Sequence, residues 1–87
     1  MERIMISRPW GGSGAYLDPL SDGRFVLKGS FLFLRVVSDA ETKTIRSVDL
    51  EGGPTINVGD VLRNGRTVIS LELEENELFV TLGQFDH

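Results

Sequence analysis

Gly59-Asp60-Val61-Leu62-Arg63-Asn64-Gly65-Arg66-Thr67-Val68-Ile69-Ser70-Leu71-Glu72-Leu73-Glu74-Glu75-Asn76-Glu77-Leu78-Phe79-Val80-Thr81-Leu82-Gly83 is the stretch whose reading decides the fold. Ile69, Leu71 and Leu73 share one parity, as do Leu78, Val80 and Leu82, so each run reads as a strand with one face inward. With Glu75-Asn76 as the loop, Leu73 falls opposite Leu78, Leu71 opposite Val80 and Ile69 opposite Leu82. All six aliphatic side chains then meet on one face, and a slip of one residue would undo the match. Just upstream, Asn64-Gly65 is the strongest short hairpin signal, because both residues accept the positive φ of a type I′ turn. Gly59-Asp60 reads as a bend in which the Asp60 carboxylate accepts hydrogen bonds from the next backbone N–H groups instead of binding a ligand. Gly59, Asp60, Asn64 and Gly65 are thus expected to be structural turn residues.

Working outward, Thr55 to Val58 reads as a short strand with Ile56 and Val58 inward, and Lys43 to Leu50 as another. In the latter, Ile45 and Val48 lie on opposite parities, which a bulge near Arg46-Ser47 would reconcile. Arg24 to Lys28 and Phe31 to Val37 are two strands divided by Gly29-Ser30, or one long strand with a bulge there. Phe31-Leu32-Phe33-Leu34 is apolar on both parities, so this strand is expected to be central, covered on both faces and the anchor of the core. Arg3 to Ser7 fits an edge strand ended by Pro9. Beyond it, a glycine-rich loop and a turn cluster make residues 1–23 an irregular lead-in to a core at 24–85. The chain predicts one all-β domain, a small and mostly antiparallel barrel or sandwich of five to seven short strands with no substantial helix.

Length and composition agree with this. A chain of 87 residues leaves room for one domain, which buries roughly 60% of its unfolded surface. Thirteen acids against nine Lys and Arg give a net charge of −4, concentrated at Glu72, Glu74, Glu75 and Glu77. Duplex nucleic acid is therefore not an expected partner, since it needs a basic patch; only Arg63 and Arg66 offer a local one. The absence of cysteine excludes disulfides and thiolate chemistry. Phe25 to Val37 is interrupted by Lys28 and Arg35 and is well short of the ~20 residues of a membrane helix, so no span is expected. No secretory signal is visible before Pro9.

The residues also argue against catalysis. The lone histidine, His87, stands at the end of the sequence, and no serine, threonine or lysine has a visible activating partner. Gly11-Gly12-Ser13-Gly14 lacks the lysine and spacing of a phosphate loop. The glutamates gather at a hairpin tip, where solubility and protection of the edge explain them better than metal or acid–base chemistry. No cofactor, metal or catalytic residue is expected. Trp10 and Tyr16, aromatics in a glycine-rich region, either anchor a partner or fold back to cap an open edge of the core.

The run Ile56-x-Val58-Gly59-Asp60-x-Leu62, then Gly65-x-x-Val68, Leu71 and Leu78-x-Val80-x-Leu82-Gly83 resembles the periplasmic homology-region domain of the type II secretion inner-membrane protein. It likewise resembles the related pilus-assembly lipoprotein of type IV pili. The resemblance covers Ile45 to Gly83 and implies a small β-sandwich in secretion or pilus assembly. The function expected is a non-catalytic protein–protein interaction module that binds another protein by sheet edge and aromatic loop. Its contact residues would be Trp10, Tyr16, Glu74, Glu75 and Glu77, with homo-oligomers through sheet edges as a further outcome. A different class is a small phage or mobile-element protein that inhibits a host enzyme as an acidic mimic or blocker. A third is a single-strand nucleic-acid barrel using Phe25, Phe31, Phe33 and Phe79, against which the net charge argues.

Overall fold

The computed structural model describes residues 3–5, 15–29, 33–51, 55–62 and 65–83. These form eight strands: β1 (Ile4–Met5), β2 (Ala15–Pro19), β3 (Phe25–Gly29), β4 (Phe33–Ser38), β5 (Ile45–Leu50), β6 (Thr55–Asn57), β7 (Val68–Glu74) and β8 (Glu77–Leu82). They make a five-stranded sheet in the order β1-β2-β3-β8-β7 and a three-stranded sheet in the order β4-β5-β6. Every named pairing is antiparallel. The result is all-β and sandwich-like, two sheets not closed into a barrel, and no helix occurs among the described residues.

The strand count exceeds the expected five to seven because the lead-in is not irregular throughout. Ala15 and Leu17 are buried and alternate with Tyr16 and Asp18 along β2. This short period-2 pattern sits between glycine-rich and turn-rich neighbours that hide it in the sequence. β2 pairs with β3 over its whole length, and β1 closes the sheet as its edge.

The last hairpin has the expected centre. Glu75 and Asn76 both have positive φ, 48° and 66°, as a type I′ turn requires. Leu71 faces Val80 and Leu73 faces Leu78. One step further the expectation fails, because the register shifts between Val68 and Ser70 and Val68, not Ile69, pairs with Leu82. A β-bulge there inserts Ile69 as the extra residue, so Val68 is fully buried and Ile69 is 53% exposed.

The other apolar expectations divide. β5 carries the anticipated bulge: Val37 pairs with Ser47 and Ser38 with Ile45, leaving Arg46 extra, and both Ile45 and Val48 pack into the core. β4, expected to be central and covered on both faces, is an edge strand of the smaller sheet. A second bulge at Leu34 leaves that side chain 66% exposed. The strand covered on both faces is β3. Phe25 and Leu27 point into the core, while Val26 is buried on the other face between its cross-strand neighbours Asp18 and Phe79. β3 and β4 belong to different sheets, so they are not one long strand.

Ile4, Leu17, Leu27, Val68, Leu71, Leu78, Val80 and Leu82 from the larger sheet meet Val48, Leu50 and Ile56 from the smaller one in a single core. Val58, expected inward, is exposed because the chain turns there: the Asp60 N–H donates to the Asn57 carbonyl at 3.1 Å. Gly59 at φ +102° supplies the positive φ that the third position of a type II turn needs.

Candidate functional site

The turn that exposes Val58 also sets one end of an open groove of about 900 Å³. The Asp60 carboxylate braces this turn by accepting the Asn57 backbone N–H at 2.9 Å, so the bond runs back along the chain instead of forward. The Asp60 carbonyl accepts the Val68 N–H at 2.9 Å and the Val68 carbonyl accepts the Gly59 N–H at 2.8 Å, which pins the turn to the start of β7. One wall of the groove is the beginning of β5, Ile45 to Ser47, with Val37 of β4. The other wall is Ile69 to Glu72 of β7. Both the Arg46 and the Ile69 bulge line it. Bulges collect beside binding sites because they end regular pairing and re-aim side chains.

Among the described residues the β7 wall is an unpaired sheet edge. Glu74 and Glu77 flank a two-residue turn and form its hydrogen-bonded pair, and bonding alternates along an antiparallel ladder. The peptide groups of Glu72 and Ser70 therefore also face β8, while those of Leu71 and Leu73 point to the opposite side. Among the described residues no strand pairs with that side of β7 beyond Val68. Leu73, at the outer end of the hairpin, is 39% exposed.

The expected contact residues do not converge. Trp10 and Asn64 lie outside the described residues, as do Arg63 and Phe31. Tyr16 is not in a loop but in β2, on the outer face of the larger sheet, with the Arg3 guanidinium 4.1 Å from its ring centroid and Arg3 paired to Asp18 at 3.0 Å. Glu74, Glu75 and Glu77 are exposed together at the tip of the β7–β8 hairpin, Glu74 directly opposite Glu77. Next to them along β7, Glu72 lies 3.9 Å from the Arg24 Nη1. Arg24 also covers the Phe79 ring, at 4.7 Å from its centroid. With Phe25 buried and Phe79 beneath an arginine, neither is an open stacking platform for bases. Arg66 is engaged as well: its guanidinium donates to the carbonyls of Gly83 and Leu82 and lies over Phe25.

Gly65 has φ +84°, and the Gly65 N–H donates to the Leu62 carbonyl and the Leu62 N–H to the Arg66 carbonyl. Gly65 thus holds the positive φ expected of it, while the Asn64 half of the expected turn lies outside the described residues. Two aspartates hold other turns. Asp22 accepts the Arg24 N–H at 3.0 Å and its guanidinium at 2.8 Å, and in that order these hold its carboxyl below the usual carboxylate value. Asp39 accepts the N–H groups of Glu41 and Thr42, which lower it likewise.

Among the described residues no cluster of His, Cys, Asp and Glu is arranged to hold a metal ion, and no helix is long and apolar enough to cross a membrane. The groove residues Arg46, Val58 and Ile69 were not legible as a site, because only the folded chain reveals the Ile69 bulge and the Val58 turn and brings them beside the anticipated Arg46 bulge. Fold and site together define a two-sheet β-domain with an open-edged groove. Comparison of the chain with protein-family models, curated proteins and solved structures finds no match.

Proposed function

We propose that this chain is a non-catalytic protein-interaction module that takes up an extended segment of another protein along the free edge of β7. The observation that supports it is the outward pair of peptide groups at Leu71 and Leu73 beside a groove flanked by exposed Val58 and Ile69. Strand addition matches such an edge: main-chain hydrogen bonds supply affinity, at a net of about 1 kcal/mol each, and alternate side chains supply specificity. The homology-region domains of type II secretion and type IV pilus assembly are the concrete form of such a module that the sequence suggests. All but two of the groove-lining residues fall within Ile45 to Gly83, the span of that resemblance.

Strand addition differs from side-chain docking in needing the ligand's backbone. The test is a panel of heptapeptides that alternate apolar and polar residues, each paired with a copy N-methylated at every second residue. The expected result is slowed hydrogen exchange at the Leu71 and Leu73 amides with the parent peptides and none with the methylated copies. Equal binding by both, or protection confined to the face carrying Tyr16, would remove the proposal.

A further inference from the structure

The two faces of β7 are chemically unlike, and a strand laid against its edge inherits the difference. Leu71 and Leu73 pair with Val80 and Leu78 on the core side of the sheet, whereas Glu72 and Glu74 pair with Phe79 and Glu77 on the outer side. Side chains of adjacent strands that lie opposite each other share a face, so an added strand sets alternate residues beside two leucines and beside two glutamates. Arg24 stands next to Glu72 on the β8 side and already donates to Asp22, its closer partner, at 2.8 Å against 3.9 Å. The edge therefore presents Glu72 and Glu74 on its outer face and, on the core side, the buried Leu71 and the exposed Leu73, with Arg46 on the facing wall of the groove.

Resting on the strand-addition reading, we infer that the segment bound along β7 alternates basic and apolar residues, with its Lys or Arg side chains opposite Glu72 and Glu74 and its apolar side chains opposite Leu71 and Leu73. A second copy of the chain is disfavoured in the registers that align Leu73 of one copy with a leucine of the other. Antiparallel pairing of two β7 edges that aligns Leu73 with Leu73 sets Glu72 against Glu74, and pairing Leu71 with Leu73 sets Glu72 against Glu72. Like charges directly opposite one another destabilise a ladder, and acidic edges deter such self-pairing. The same carboxylates that repel a copy attract a basic strand.

The test uses three peptides of equal length, alternating valine with lysine, with serine or with glutamate, at physiological salt. Affinity is read by titration and position by hydrogen exchange at Leu71 and Leu73. The lysine peptide is expected to bind about tenfold more tightly than the serine peptide, as two opposed charge pairs would give, and the glutamate peptide more weakly than either. Glu74→Lys should erase most of the lysine preference, and Glu72→Lys with Glu74→Lys should turn it toward the glutamate peptide. Equal affinity of all three at Leu71 and Leu73 would overturn the inference while leaving strand addition standing. Absence of protection with every peptide would overturn both. Protection that rises with protein concentration in the absence of peptide would identify a second copy as the occupant and overturn the inference.

Discussion

β3 and β4 carry similar apolar runs, Phe25-Val26-Leu27 and Phe33-Leu34 with Val36-Val37 beyond, yet they end in opposite environments. β3 lies between β2 and β8 and is buried on both faces. β4 lies at the edge of the smaller sheet, with a bulge at Leu34 and mostly exposed side chains. An apolar run on both parities is therefore compatible with a central strand but does not establish one. What decides is the number of neighbouring strands, and β3 gains its second neighbour from the far end of the chain.

The contrast can be broken most forcefully by truncation. Leu27→Ala should cost about 3 kcal/mol, the cavity cost of a fully packed leucine, whereas Leu34→Ala should stay within about 0.5 kcal/mol. Urea denaturation of both variants measures this, and equal losses would mean that the two strands share one kind of environment. The turns sharpen it next. Gly65→Val places a β-branched side chain at φ +84° in the loop that leads into the larger sheet. A loss of about 1–3 kcal/mol is expected, and an unchanged melting temperature would show that the loop adopts another geometry.

Each sheet also has a hairpin in which a residue other than glycine or asparagine holds positive φ, Glu75 at 48° in the larger and Lys43 at 58° in the smaller. Glu75→Gly and Lys43→Gly should each stabilise by roughly 0.5–1 kcal/mol, measurable as a raised denaturation midpoint. A gain at only one would show that the two hairpins carry unequal strain. The smallest effect is with pH. Asp22 in the β2–β3 turn and Asp39 in the β4–β5 turn have depressed folded values, so the stability they contribute is present above the ordinary carboxylate value of 3.8 and is lost as pH falls through the depressed one. Asp39→Asn should flatten that acid-side fall in melting temperature, and an identical profile in variant and parent would show that the carboxylate does not hold the turn.

Much of the fold was legible where local pattern and local turn chemistry coincide. The Glu75-Asn76 turn, the Leu71–Val80 register and the Arg46 bulge all follow from residues a few positions apart. Ile69 was misread because parity counting assumes an unbroken ladder, and nothing in Val68-Ile69-Ser70 marks the extra residue. β2 was missed because a three-residue alternation is too short to stand out among glycines and turn residues. The groove was illegible for a stronger reason. It joins β5, the Val58 turn and β7, and its shape depends on how two sheets stack, which no local pattern encodes.

The pairing of β3 with β8 bears on how the chain reaches this state. Phe25 must find Val80 with the entire smaller sheet in between, so the closing contact spans a long loop whose entropy is lost before its reward is gained. Proteins dominated by such distant pairings fold in milliseconds to seconds, well behind helical domains of similar size. During synthesis β2 and β3 can form a hairpin early, and β4 to β6 can form theirs. The larger sheet, however, stays open at β3 until the last hairpin is made and inserts beside it. The buried Val26 and Leu27 are thus the surface left uncovered longest, and variants that loosen β8 should be recognised first by slow refolding and aggregation.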